Sequence, residues 1–234
     1  MKNSFLLLLL TNTLLFAQLP KTLYKTINGQ QVYTIETKNV FFITSKFNID
    51  ADGAPKAYNK DSSIALDYLA NAGKPRNWWA LVTDTNKKNG KPITQTKNDP
   101  APGFFVSTTS LGDSTKNYKD PNRYVNSETI PYIVLPAKLS KDFKLGDIAL
   151  VVNKKNNKKC YAIFADTGEI GEGSIYLAKQ LGINSNPKNG GTEAKEIVYI
   201  LLKNSGKGKV LTVQEIEEIG KTKLTDKDIV EMLN

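Results

Sequence analysis

The chain of 234 residues contains no histidine and one cysteine, Cys160. Serine–histidine and cysteine–histidine machinery is therefore excluded within the chain, as are histidine-ligated zinc and an intramolecular disulfide. A proton-transferring site working near neutral pH is left with carboxylates as its natural carriers. There is also no internal repeat and, past the first 17 residues, no long apolar run, which removes solenoid and multi-span membrane readings. What is present is 40% hydrophobic, 24% charged and 9% aromatic, the balance of a chain with a real core.

The first residues combine Lys2, the run Phe5 to Leu10 and Leu14-Leu15-Phe16-Ala17, which are the charged, apolar and small-residue zones of an export signal. Cleavage is expected after Ala17, with residues 18–234 forming one domain outside the cytoplasm. No cysteine follows the cleavage point, so a lipid anchor there is not expected. Cys160 lies in an apolar stretch and reads as a small buried hydrophobe.

Alternating residues around Asn28-Gly29, then Val40-Phe41-Phe42-Ile43, predict two or three strands with a tight turn. A helix is expected over Ser62 to Asn71, capped by Asp61 and closed by a left-handed Gly73. Strands follow at Trp79–Val82, Gly103–Val106, Ile130–Leu135 and Ile148–Val152. The run Asn153 to Lys159 forms a hairpin tip leading into Cys160–Ala165. Ser174 caps a helix from Ile175 to Leu181 ended by Gly182, Ile197–Leu202 is a strand, and helices follow Thr212 and Thr225. The fold class is β-rich α+β in a single domain.

Much of the formal net charge of +9 falls between Ala137 and Cys160, where seven lysines face two acids. That run lacks interleaved arginines and aromatics, so it reads as a solvated tip and not as a nucleic-acid surface.

Chemistry concentrates in Tyr161 to Gly173, YAIFADTGEIGEG. Asp166 stands where an apolar strand runs into a Thr-Gly turn, and Glu172 sits between two glycines ahead of the Ser174 helix start. Burial should raise the Asp166 pKa, while the helix N-terminus should favour an ionised Glu172. One proton donor and one base is the pair that glycoside hydrolysis needs. Both residues could instead serve only turn geometry and the helix dipole, and Glu169 reads as a solvated loop acid. Asn48 to Gly53 opens like a calcium loop, but Pro55, Lys56 and Asn59 break the pattern, so Asp50 and Asp52 are expected to face a ligand or cap a turn. Trp78, of the Trp78-Trp79 pair, is the candidate sugar platform.

Four ordered blocks, Ala57–Asp84, Asp99–Leu111, Arg123–Pro136 and Tyr161–Ile183, together resemble the glycoside hydrolase family 75 chitosanases. The resemblance implies an endo-acting, inverting hydrolase of chitosan whose aspartate and glutamate match Asp166 and Glu172. The loop between these acids is shorter than the resemblance leads one to expect. A similar Asp-Thr-Gly turn in lytic enzymes suggests, by analogy, a central double-psi-like β-barrel. Since chitosan is polycationic, Asp50, Asp52, Asp99, Asp113, Asp166 and Glu172 are expected to gather in an acidic groove with Trp78. The expected partner is the polysaccharide alone, bound by a monomer, with no metal, cofactor, nucleic acid or membrane. Chitin or peptidoglycan-like glycans, or sugar binding without cleavage, remain alternative readings.

Overall fold

In the computed structural model, residues 19–233 are described, and the expected export signal lies outside them. Two hairpins start the architecture. β1 (Thr22–Ile27) and β2 (Gln30–Ile35) meet at Asn28 and Gly29, which take φ values of 49° and 77°, as the tight turn requires. β7 (Ile148–Asn153) and β8 (Lys158–Thr167) pair from Ile148↔Ile163 to Asn153↔Lys158, and the lysine-rich tip projects between them with Asn157 in the left-handed region.

β7 is buried at all six positions, IALVVN, because both faces of the sheet are covered. Its alternate residues enter different clusters: Ile148, Leu150 and Val152 pack with the C-terminal helices, Ala149 and Val151 with Phe47, Phe164 and Leu177. β3 (Val40–Asp50) and β10 (Thr192–Leu202) are the long members, 11 residues each. β10 pairs with both β3 and β7; β8 then pairs in parallel with β6 (Tyr132–Leu135), β6 with β9 (Glu172–Ser174), and β9 in parallel with β3. The result is a closed six-stranded barrel, β3-β10-β7-β8-β6-β9, with the β1–β2 hairpin continuing from β3. The β-rich single-domain architecture with a central barrel agrees with the sequence.

Among the described residues four short helices cover the barrel. α1 (Ala137–Ser140) follows β6. α2 (Ile175–Gln180) starts where the Ser174 Oγ accepts from Leu177 N, and Gly182 follows its end at φ 67°. α3 (Val213–Lys223) opens on a reciprocal cap between Thr212 and Glu215, and α4 (Asp226–Leu233) on the equivalent pairing of Thr225 with Asp228. Among the described residues no helix is long and apolar enough to cross a membrane. Cys160 is half-buried with its thiol pushed to about 12 by burial and Glu217.

The segment between β3 and β6 departs from expectation. No helix forms over Ser62–Asn71; its backbone instead donates from Leu66 N to Lys56 O and from Asp67 N to Ala57 O, and only Leu69–Ala72 makes a 3₁₀ turn. Tertiary pairing has overridden a helical apolar pattern, because Ala57, Tyr58 and Ala72 bury together against Ile175. Gly73 does not close a helix: at φ 129° and ψ −160° it begins β4 (Gly73–Lys74), which pairs with β5 (Asn77–Trp78). The expected strands Trp79–Val82 and Gly103–Val106 reduce to isolated bridges, Leu81↔Ser107 and Thr94↔Phe105.

Barrel closure depends on Gly173. It pairs with Ile133 on one side and Ile49 on the other, and a Cβ there would lie 2.7 Å from Phe47 Cζ and 3.0 Å from Tyr132 O. Gly173→Ala should cost ~1–3 kcal/mol by overpacking, read as a lower urea midpoint at unchanged slope. An unaltered midpoint would show that the seam is looser than this packing implies.

Candidate active site

Asp166 reaches the barrel mouth through an irregularity. Ile133 pairs with Phe164 but Val134 with Asp166, so one extra residue in β8 re-aims the strand end. The carboxylate is 8% exposed, and its Oδ1 accepts from Ser110 Oγ at 2.6 Å, Thr167 N at 2.7 Å and Ser110 N at 3.0 Å. The Ser110 loop is tied to the same strand by Leu111 N donating to Ala165 O. Burial raises the Asp166 pKa and these donors oppose it, so the predicted direction is found.

Glu172 occupies β9 beside Asn48 of β3. It is half-buried, and Oε2 accepts from Glu169 N at 2.9 Å. Gly168 makes room for it, since a Cβ there would lie 2.6 Å from Oε2. The flanking glycines serve packing more than exposure: Gly171, at φ 96°, accepts from Asn48 N and presses on Lys46 O. The expected ionisation by the helix N-terminus is corrected. Burial dominates and raises the Glu172 pKa, with Glu169 and Asp166 adding to it against the Glu169 N–H and Lys46. The α2 N-terminus is already occupied by Ser174.

The Asn48–Gly53 turn carries the other two acids. Asp52 N donates to Asp50 Oδ1 at 2.8 Å, and Gly53 turns the chain at φ 75° against Val125. The expected turn is found as an Asx turn, with the Asp50 carboxylate capping Asp52 N. Its backbone is held by Tyr132 Oη on Asp52 O and by Ser127 Oγ on Asp50 O, while Tyr58 Oη donates to Asp52 Oδ1 at 2.7 Å. One carboxylate oxygen each from Asp50, Asp52 and Asp166 lie within 4.8 Å of one another. This trio could together hold a cation, or share protons. Burial raises Asp50 and Asp52 well above the usual aspartate range, with Asp166 adding to Asp50 and Asp50 to Asp52.

These acids line one cavity of about 470 Å³, a size suited to a small-molecule or chain-segment ligand. Asp50, Asp52, Asp67, Asp166, Glu169 and Glu172 contribute six carboxylates to its wall, and among the described residues no lysine or arginine lines it. Two expected members are elsewhere. Asp99 accepts from Thr96 N and Oγ1, and Asp113 from Thr115 N and Oγ1, so both are engaged in local turns and neither lines the cavity. Trp78 packs partly buried against Gly73 and lines a separate, smaller hollow; its neighbour Trp79, 50% exposed, lines the acidic cavity. Asp67 was hidden in the expected helix, and nothing in the sequence distinguished Ser110 or Tyr58.

The closed barrel thus gathers shielded carboxyls around one open cavity. Residues 78–227 match the family described as fungal chitosanase of glycosyl hydrolase group 75, and the chain belongs to that family. It is therefore a glycoside hydrolase of the chitosanase type. The match includes Asp166 and Glu172 and begins after Asp50, Asp52 and Asp67. Comparison with curated proteins returns no match.

The raised carboxyls have a measurable consequence. They hold protons more tightly folded than unfolded, so folding takes up protons and their contribution to stability falls as pH rises from the ordinary carboxylate range through the raised values. Asp52→Asn keeps an acceptor for Tyr58 and cannot ionise. Its melting temperature should gain on wild type as pH rises from about 4, the ordinary aspartate range, through the raised value. A difference that does not change with pH would mean Asp52 titrates normally.

Proposed function

We propose that the protein is a secreted, endo-acting chitosanase that inverts configuration, with Asp166 as general acid and Glu172 as general base. The observation that carries this reading is the cavity wall, with six carboxylates and, among the described residues, no lysine or arginine, in a protein of formal charge +9. An acidic, open cleft suits a polymer of protonated amines. The export reading rests on the leader-like first 17 residues, and the endo and inverting features on the family resemblance.

Three donors already occupy Asp166 Oδ1, which leaves Oδ2 to carry the proton. In the reaction the bond between C1 and the glycosidic oxygen breaks, and Asp166 gives its proton to the departing oxygen. A water molecule adds to C1 from the opposite face and passes a proton to Glu172, so a β-linkage yields an α-configured reducing end. The Glu172 proton then returns through solvent to Asp166. Burial favours the protonated state of Asp166 against its three donors, and Asp50 and Asp52 offer oxygens to a substrate amine.

Incubation with highly deacetylated chitosan should produce new reducing ends and a rapid fall in polymer size, with the α-anomer appearing first. Asp166→Asn and Glu172→Gln should each lower turnover by roughly 10²–10⁴-fold at an unchanged circular dichroism spectrum. Near-normal cleavage by Asp166→Asn would remove the assignment. Cleavage of acetylated chitin or peptidoglycan-like glycan in preference to chitosan would replace the substrate.

A further inference from the structure

Beyond Asp166 and Glu172, the same cavity is lined by Asp67, Asn71 and Trp79. Trp79 leaves half of a large apolar ring in solvent, yet the ring is not loose. Its Nε1–H donates to Asn71 O at 2.9 Å, and its backbone N donates to Ala72 O at 3.1 Å. With its polar atom satisfied, the indole has only its faces to offer.

Asp67 shows the complementary feature. It is 4% exposed, and Oδ1 accepts from Tyr68 N at 2.7 Å and Asn71 Nδ2 at 2.9 Å. Oδ2 has no hydrogen-bond partner among the described residues. No fully buried side-chain polar atom there lacks a partner, so Oδ2 must be open to the cavity that Asp67 lines. Asn71 joins the two parts, its carbonyl fixing the ring and its amide fixing the carboxylate.

The loop bearing Asp67 is also braced. Lys188 Nζ donates to Ser62 O at 2.6 Å and Ala65 O at 2.8 Å, tying this wall to the loop of Pro187 and Gly190 across the cavity. Burial raises the Asp67 carboxyl, while its two donors and Lys188 favour the ionised form.

We propose that Trp79 and Asp67 form a subsite for one 2-amino-2-deoxy sugar ring, the indole stacking on the apolar ring face and Asp67 Oδ2 accepting from the free amine. This rests on the glycan-hydrolase reading and adds to it a site of selection between amine and acetamide. A pyranose presents axial C–H groups on one face and its 2-substituent at the edge, so a ring laid on the indole can bring that edge to a neighbouring acceptor. An N-acetyl group in that place removes the charge and adds a carbonyl and methyl beside a nearly buried carboxylate, an unpaired-acceptor clash that disfavours it.

The chain has two tryptophans, so intrinsic fluorescence reads this wall directly. Asp166→Asn protein, silenced for cleavage, is titrated with glucosamine hexamer and with N-acetylglucosamine hexamer. The glucosamine oligomer should give a saturable fluorescence change, and adding Trp79→Phe should abolish it. Trp79→Ala should weaken binding, measured by calorimetry, roughly tenfold. Asp67→Asn should shrink the preference for the amine oligomer roughly tenfold, with native circular dichroism as the control. The fluorescence change surviving in Trp79→Phe, or an amine preference unaltered in Asp67→Asn, would overturn the subsite. In parallel, wild type is assayed on deacetylated chitosan: cleavage together with those negative results removes the subsite alone, whereas absence of cleavage removes the hydrolase reading on which it stands.

Discussion

A carboxylate drawn out of water favours its neutral form, and an ionised carboxylate beside it strengthens that preference. Asp50 and Asp52 meet both conditions and Asp166 the first, with one oxygen of each within 4.8 Å of the others. They cannot all be charged at once, so the cluster retains protons at pH values where solvated aspartates have lost them. That retained proton is what a general acid needs, and the fold holds it in place by rigid means. The carbonyls of the Asp50–Asp52 turn are bound by Tyr132 and Ser127, and one oxygen of Asp166 is saturated by the Ser110 loop and Thr167. Such positioning limits how far the three groups can move apart to relieve their repulsion.

Barrel closure is the structural counterpart of that constraint. β3 delivers Asp50, β8 delivers Asp166 and β9 delivers Glu172, and β9 is the short strand that joins β3 to β6. Three residues suffice for it because Gly171 and Gly173 let the backbone approach Lys46, Phe47 and Tyr132 closely. The glycines flanking Glu172 therefore act on the seam first and on the carboxylate through it. Only one residue of extra length in β8, opposite Ile133–Val134, turns Asp166 toward the cavity.

What could be read from the sequence followed from local rules. The hairpin at Asn28-Gly29, the caps at Ser174, Thr212 and Thr225, and the uninterrupted apolar run of β7 each have a short-range cause, and each forms. Asp166 and Glu172 could be singled out because a strand end and a glycine-flanked acid leave local marks. The region Ser62–Gly73 misled for the opposite reason. Its apolar spacing suits a helix, but Ala57, Tyr58 and Ala72 find partners only in the folded insert, and backbone pairing with Lys56 and Ala57 replaces helical bonds. Asp67 and Trp79 were missed with it, since which tryptophan of an adjacent pair faces solvent depends on the β4–β5 turn. The sign at Glu172 failed because depth of burial is a property of the whole assembly, invisible in GEGS.

The charge distribution closes the argument between a basic protein and a cationic polymer. Long-range repulsion from a net +9 is screened beyond about a Debye length, roughly 8 Å at physiological salt. Inside that distance a chain in the cleft meets six carboxylates, while much of the excess lysine sits on the solvated β7–β8 tip. Net charge thus describes the encounter poorly and the wall describes it well. The same separation explains why protons and substrate amines compete for one set of oxygens. As pH falls the acids fill with protons and attract an ammonium group less; as pH rises an amine loses its own charge and the acids their protons. Burial, by raising those pKa values, moves the interval in which the cluster is partly protonated upward from the range of ordinary carboxylates.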